Sequence, residues 1–159
     1  MKALVVYDSI FGNTEQIARS VGKALGSQTD VEVVKVNQFK PGQLTGVNLL
    51  IVGSPTRAFR PTPAIKKFLG RIPRNGLKGV RVASFDTGIS LDDIDSSIGR
   101  FFINFFGYAA KPIANRLVKK GGDLINDPEG FFVKDSEGPL KESELERAAD
   151  WAGQILEKQ

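Results

Sequence analysis

Short apolar runs of strand length alternate along this chain with segments whose apolar residues recur at helical spacing. Strands are predicted at 3–7, 31–36, 47–52, 80–85 and, for the last one, at 124–125, 131–133 or both. The first and third runs are continuously apolar, as in strands covered on both faces, whereas the second alternates like an edge strand. The pattern therefore predicts an α/β fold, a doubly wound three-layer sandwich around a five-stranded parallel sheet.

Local signals mark the ends of the helical segments. Gly26 can end the first helix, and Thr62 followed by Pro63 predicts an N-cap with proline at the first helical position. The pattern Ser143-x-x-Glu146 predicts a capping box at the start of the last helix. The residues expected to face the core from these helices are Ile17, Val21, Leu25, Ile65, Phe68, Leu69, Ala110, Ile113, Leu117, Val118, Leu145, Ala149, Ala152 and Leu156.

A further amphipathic segment follows the fourth predicted strand. Its apolar residues share one helical face and predict a helix over 92–106. The aromatic cluster at 101–108 either packs on the rest of the domain or covers a ligand, and we expect the former. Trp151, on the last helix, is expected in the core.

The chain of 159 residues contains neither cysteine nor histidine. Disulfides, iron–sulfur clusters, thiolate nucleophiles and a Ser-His-Asp triad are therefore excluded, as are zinc, copper or haem sites that need these ligands. The length and the 41% hydrophobic content are those of one globular domain, expected to span 1–159. Redox chemistry in such a chain requires a bound cofactor.

Positive charge is concentrated in one half of the chain. The net charge is +4, and the stretch 33–85 contains ten lysines and arginines but no acidic residue. A basic half attracts nucleic acid, an anionic cofactor or an acidic protein, or serves only solubility. No segment has the ~20 apolar residues of a membrane span, and the run at 3–7 is too short for a signal peptide. We therefore expect a soluble, cytoplasmic protein.

The segment after the first strand has the composition of a phosphate-binding loop. Backbone N–H groups at the start of a helix bind phosphate without lysine or arginine, and glycine lets the backbone approach closely. The same residue types are also ordinary turn and cap residues, and the loop matches neither a Walker A sequence nor G-x-G-x-x-G. The candidate residues are Ser9, Ile10, Phe11, Gly12, Asn13 and Thr14.

Two further loops follow predicted strands at the same edge of the sheet, where doubly wound folds bind their ligands. The loop 53–61 is longer than the fold requires and carries an aromatic residue and two arginines. The loop 84–90 is small enough to place backbone N–H groups against a flat ring. The candidate residues are Ser54, Pro55, Thr56, Arg57, Ala58, Phe59, Asp86, Thr87, Gly88 and Ile89.

Three motifs carry a family resemblance. Ser-x-x-Gly-Asn-Thr follows the first strand, Gly-Ser-Pro-Thr the third and Thr-Gly the fourth, and the chain resembles the flavodoxin family over essentially its whole length. The resemblance implies the strand order 2-1-3-4-5 and non-covalent FMN, with its phosphate on 9–14 and its isoalloxazine ring between the second and third loops. It also implies low-potential electron transfer between redox partner proteins, without a catalytic or metal-binding residue.

Some residues depart from the family pattern. Arg57 stands where many flavodoxins have a tryptophan, the third loop lacks a tyrosine, and Ala58 replaces a glycine often used for a peptide flip near flavin N5. Flavodoxins are typically acidic, whereas this chain is basic. A guanidinium about 6 Å from the reduced flavin would favour its anion by at most roughly 3 kcal/mol at an effective dielectric of ~20. The same positive charge around the expected flavin site predicts a redox partner with an acidic docking surface.

Two other functions stay open at this point. FMN-dependent NAD(P)H:quinone oxidoreductases of the same superfamily also tend to have Pro-Thr-Arg in the second loop, as at 55–57 here. Such an enzyme needs a nicotinamide or quinone site over the flavin, which the aromatic residues at 101–106 could supply. The other function is that of a basic anion- or nucleic-acid-binding module without flavin. We prefer an electron carrier that binds neither nucleic acid nor a membrane, and the sequence leaves its oligomeric state open.

Overall fold

One parallel sheet forms the centre of the protein in the computed structural model, which describes residues 1–94, 96–98, 100–101 and 108–158. Its strands are β1 (Lys2–Tyr7), β2 (Asp30–Lys35), β3 (Leu49–Pro55), β4 (Arg81–Ile89), β5 (Asp123–Leu124) and β6 (Glu129–Val133). The strand order is β2-β1-β3-β4-β5, and β6 pairs with β4 further along the same edge as β5. The predicted order 2-1-3-4-5 is confirmed, and the last strand is formed by both predicted segments.

Helices cover both faces of this sheet. They are α1 (Asn13–Leu25), α2 (Pro63–Arg71), α3 (Ala110–Lys119) and α4 (Glu144–Glu157). Side chains alternate between the two faces along a strand. Ala3 and Val5 therefore belong to one core with α1 and α4, whereas Leu4 and Val6 belong to another with α2 and α3. The two cores confirm the three-layer sandwich. No helix within the described ranges is long and apolar enough to cross a membrane.

Strand β4 continues to Ile89, although its apolar run predicts an end at Phe85. On one side β3 pairs with Asp86 and Thr87, and on the other side β6 pairs along residues 85–89. The backbone of the predicted third loop is therefore fixed by neighbours that are distant in sequence. Its small polar residues gave no local sign of this pairing.

The first residue of α4 sets a different buried face from the predicted one. Ser143 has a φ of 67° and makes no side-chain cap, so the predicted capping box is absent. Instead Glu144 is buried and accepts a hydrogen bond from the Phe132 N–H at 2.7 Å. Leu145, which is 42% exposed, was therefore wrongly predicted to face the core, whereas Ala152 is buried and Leu156 packs against the core as predicted. The buried residues of the helix are Glu144, Ala148, Trp151, Ala152 and Ile155, which confirms Trp151 as a core residue.

Three other helix predictions had mixed outcomes. Thr62 caps α2 by accepting the Ile65 N–H at 3.4 Å, as predicted. Val118 of α3 is 47% exposed rather than buried. The start of the predicted helix over 92–106 is instead a short 3-10 helix at Leu91–Asp93. Residues 97, 98, 100 and 101 are helical as predicted, and residues 95, 99 and 102–106 of that prediction lie outside the described part of the chain.

Gly153 is a position where the fold leaves room for a stabilising change. It lies inside α4, and a β-carbon built there meets no neighbouring group within 4 Å. Because alanine has a higher helix propensity, Gly153→Ala is expected to raise the free energy of unfolding by about 1 kcal/mol. Urea unfolding followed by circular dichroism measures this change. A loss of stability would contradict the open environment of this position.

Candidate functional site

The carboxyl ends of β1, β3 and β4 open into a cleft of about 350 Å³. The three predicted loops meet there and form most of its walls. The predicted site residues that line it are Ser9, Ile10, Phe11, Asn13, Thr14, Pro55, Thr56, Arg57, Ala58, Thr87, Gly88 and Ile89. This is the edge of a doubly wound sheet at which ligands bind.

Four predicted site residues do not line the cleft, namely Gly12, Ser54, Phe59 and Asp86. Gly12 precedes α1, and Ser54 and Asp86 are buried within β3 and β4. Phe59 lines a neighbouring cavity. Their direct contact with a ligand stays a prediction.

Three residues at the cleft were missed by the sequence analysis. Val133 and Ser136 line it because β6 pairs with β4 in a register that sets Val133 opposite Ile89. Tyr108 donates its hydroxyl to the Ile89 carbonyl at 2.9 Å, and its ring lies 3.3 Å from a β-carbon built on Gly88. A β-carbon at position 88 would therefore be in tight contact with this ring. The aromatic content of 101–108 was the available signal, and Tyr108 does pack on the rest of the chain.

Unpartnered backbone N–H groups lie at the start of α1. The Ser9 hydroxyl accepts hydrogen bonds from the N–H groups of Gly12 at 3.1 Å and Glu15 at 3.3 Å. Gly12 has a φ of 94°, a left-handed conformation that favours glycine. Within the described ranges, no hydrogen bond is made by the N–H groups of Ile10, Phe11, Asn13 and Thr14. Such groups at the positive end of a helix dipole are suited to a phosphate.

Two buried hydroxyls join the first and third walls of the cleft. Thr14 Oγ1 and Thr87 Oγ1 are 2.7 Å apart, and both side chains are almost fully buried. Asn13 Nδ2 donates to the Glu137 carbonyl at 3.1 Å and so joins the first wall to the loop after β6. These contacts fix the cleft before any ligand binds.

A tight turn at 57–60 forms the second wall. Arg57 and Arg60 exchange both of their backbone hydrogen bonds, at 2.8 and 3.0 Å. Ala58 and Phe59 have φ values of 49° and 67°, so both central residues are left-handed, as in a type I′ turn. The backbone at Ala58 therefore has a conformation that favours glycine, although the residue is alanine. At the rim, the Arg57 guanidinium lies 5.9 Å from the centroid of the Phe11 ring.

Asp86 is a buried carboxyl behind the third wall. Its Oδ2 accepts the Ala110 N–H at the start of α3 at 2.9 Å, and its Oδ1 has no partner in the described part of the chain. Burial raises the pKa of Asp86 to about 7, against the lowering effect of the Ala110 N–H and with a smaller raising effect from Glu129. Thr56 Oγ1 accepts the adjacent Ala109 N–H at 3.0 Å. The two side chains together position the start of α3.

The family model described as Flavodoxin matches residues 5–151. This chain belongs to the flavodoxin family. The described residues contain no cluster of three aspartate, glutamate, cysteine or histidine side chains that could hold a metal ion. Flavodoxins bind FMN, and FMN is the cofactor of this flavodoxin. The unpartnered N–H groups of Ile10, Phe11, Asn13 and Thr14 fit its phosphate.

Known proteins similar to this flavodoxin include two curated sequences and a solved structure. "NADPH-dependent diflavin oxidoreductase 1" of Emericella nidulans is 30% identical over 131 residues, which are 77% of this chain and 18% of that protein. "Probable flavodoxin 1" of Bacillus subtilis is 29% identical over 89 residues, 55% of this chain and 56% of that protein. The matched regions thus span less than two thirds of either relative. A flavodoxin from the domain Archaea superposes with a TM-score of 0.78 at 25% identity, over 99% of this chain and 98% of that one.

Proposed function

We propose that this flavodoxin is an electron carrier that exchanges electrons with separate redox proteins and transforms no substrate of its own. One observation carries the proposal: among the described residues that line the cleft, Arg57 is the one charged side chain. Substrate turnover by acid–base catalysis needs a titratable group within hydrogen-bond reach of the reacting atoms. A cleft without such a group suits a protein that binds a cofactor and adjusts its electronic properties.

Each wall of the cleft has its own task in this proposal. FMN, when bound, supplies the one- and two-electron chemistry. The N–H groups at the start of α1 bind its phosphate, and the Thr14–Thr87 hydroxyl pair keeps this loop in register with β4. The backbone at 87–89 orients one edge of the ring. The turn at 57–60 lies against the cleft from the opposite wall and presents the peptide of Ala58.

Absorption spectroscopy during stepwise reduction tests this function. We expect the purified protein to retain flavin absorbance bands after desalting. We also expect dithionite to reduce the FMN while it stays bound to the protein. A colourless protein that does not take up added FMN would contradict the proposal and favour an anion-binding module without flavin.

One assay distinguishes the oxidoreductase alternative from the electron carrier. An NAD(P)H:quinone oxidoreductase consumes NAD(P)H with a quinone as a purified protein, whereas a carrier requires a partner reductase. We expect no steady-state NADPH consumption by the FMN-loaded protein with a soluble quinone. Turnover at enzymatic rates would contradict the electron-carrier proposal and support the oxidoreductase.

Arg57 is expected to raise the potential at which the bound flavin takes its second electron. Its guanidinium favours negative charge, but its exposure reduces the effect to about 1 kcal/mol, or roughly 40 mV. Arg57→Ala should therefore lower this potential by that amount in a redox titration. Arg60→Ala removes the same charge outside the cleft and should lower it by less than half as much. An unchanged potential in Arg57→Ala would contradict this role.

A further inference from the structure

A second cavity of about 370 Å³ lies on the other side of the turn at 57–60. Ala58 lines both this cavity and the FMN cleft, so the turn is their shared wall. Pro61 and Leu69, both buried, give the cavity an apolar surface together with Pro112. Helix α2 supplies one side of the cavity and helix α3 supplies the other.

Three cations surround the apolar surface of this cavity: Arg60, Lys66 and Arg116. In the described part of the chain, none of them forms an ion pair or a side-chain hydrogen bond. The elements around them supply no counter-charge, because residues 33–85 and 108–122 contain no acidic side chain. Cations around a concave apolar surface produce a strong local positive potential.

We propose that this cavity anchors an acidic segment of the redox partner, in which carboxylates flank an apolar side chain. The carboxylates would pair with the three cations, and the apolar side chain would cover the Pro61–Leu69 surface. The volume is at the lower end of the range for ligand pockets, which suits an anchoring side chain. The inference rests on the proposed electron-carrier function.

Anchoring at this cavity places the partner beside the FMN cleft. Because Ala58 belongs to both cavities, a segment bound here is separated from the cleft by one turn of backbone. The docked proteins exchange one electron between the partner's redox group and FMN, and no bond forms or breaks in the cavity. The charged walls guide the encounter, and the apolar surface fixes the docked position.

A short acidic peptide serves as the probe for this site. The peptide Glu-Glu-Phe-Glu-Glu, acetylated and amidated, is titrated into the FMN-loaded full chain at about 100 mM salt, where charges more than ~10 Å from the peptide are largely screened. Amide NMR shifts report both the affinity and the place of binding. We expect the largest shifts at Ala58 and along the facing sides of α2 and α3.

Paired variants separate a specific site from general attraction. The double variant Lys66→Gln/Arg116→Gln should weaken peptide binding about tenfold. The control Lys67→Gln/Lys119→Gln removes the same charge from the same two helices, outside the cavity, and should change the affinity less than about twofold. Equal weakening in both, shifts centred elsewhere or no binding to the wild-type protein would overturn the proposal. Displacement of the peptide by inorganic pyrophosphate at lower concentration would also overturn it, in favour of a small-anion site.

The flavin spectrum keeps this test separate from the test of the electron-carrier function. Both double variants should retain FMN absorbance and its reduction by dithionite, since neither pair lines the FMN cleft. If both double variants weaken peptide binding equally while FMN stays bound, only the docking-site proposal is overturned. A wild-type protein that cannot hold FMN would instead overturn the carrier function.

Discussion

Gly53→Ala is expected to destabilise the protein by about 3 kcal/mol, because a side chain at this position overlaps a packed aromatic ring. A β-carbon built on Gly53 would lie 2.1–2.5 Å from three atoms of the Phe85 ring. This ring is fully buried and packs edge-on against Phe131 and Trp151, with centroid distances of 6.0 and 6.1 Å. It therefore has little room to move. Urea unfolding at 25 °C measures the loss.

Two variants identify the cause of this loss. Gly153→Ala adds the same methyl group in open space and should stabilise the protein. Combining Gly53→Ala with Phe85→Leu should recover at least about 1 kcal/mol relative to the sum of the single changes, since the overlapping ring is gone. A Gly53→Ala protein as stable as the wild type would show that the β3–β4 packing is looser than described.

Asp86→Asn is expected to change the pH dependence of stability. The pKa of Asp86 is raised from 3.8 to about 7 in the folded protein, chiefly by burial. Between these pH values the folded state holds a proton that the unfolded state has lost, so the contribution of Asp86 to stability falls as the pH rises. Asparagine does not titrate. The stability of the variant relative to the wild type should therefore increase from pH 4 to pH 7, by at most about 4 kcal/mol.

The quantity to measure is the slope, against pH, of the difference in unfolding free energy between Asp86→Asn and the wild type. Urea unfolding of both proteins at a series of pH values gives it, and any fixed cost of fitting the asparagine amide cancels from the slope. Despite burial, Arg147 and the Phe132 N–H lower the pKa of Glu144. The contribution of Glu144 to stability therefore rises as the pH rises, opposite to that of Asp86. It is present in both proteins, so its effect cancels from the comparison. A difference that stays constant with pH would contradict a raised pKa for Asp86.

The sheet and its cores could be predicted because their signals are local. The continuous apolar run of β1 reflects burial on two faces, and the alternation of β2 reflects its place at an edge. Thr62 and Pro63 marked the start of α2 because capping depends on the residues next to it. These patterns also placed the three loops at one edge, where most of their predicted residues line the cleft.

The remaining features depend on contacts between distant segments. Pairing with β3 and β6 extends β4 through Thr87 to Ile89, and the same pairing brings Val133 to the cleft. Buried Glu144 sets the inner face of α4, which a rule based on apolar periodicity cannot anticipate. The left-handed φ of Ala58 is imposed by the Arg57–Arg60 hydrogen bonds and not by the preference of alanine.

The central claim is that unpartnered main-chain N–H groups at the start of α1 bind the phosphate of FMN. The most direct test compares the dissociation constants of FMN and riboflavin for the apoprotein by flavin fluorescence, because the two ligands differ in the phosphate alone. Each hydrogen bond to a charged group contributes about 1.5–3 kcal/mol, so FMN should bind at least about 100-fold more tightly. Equal affinities for the two flavins would contradict the claim.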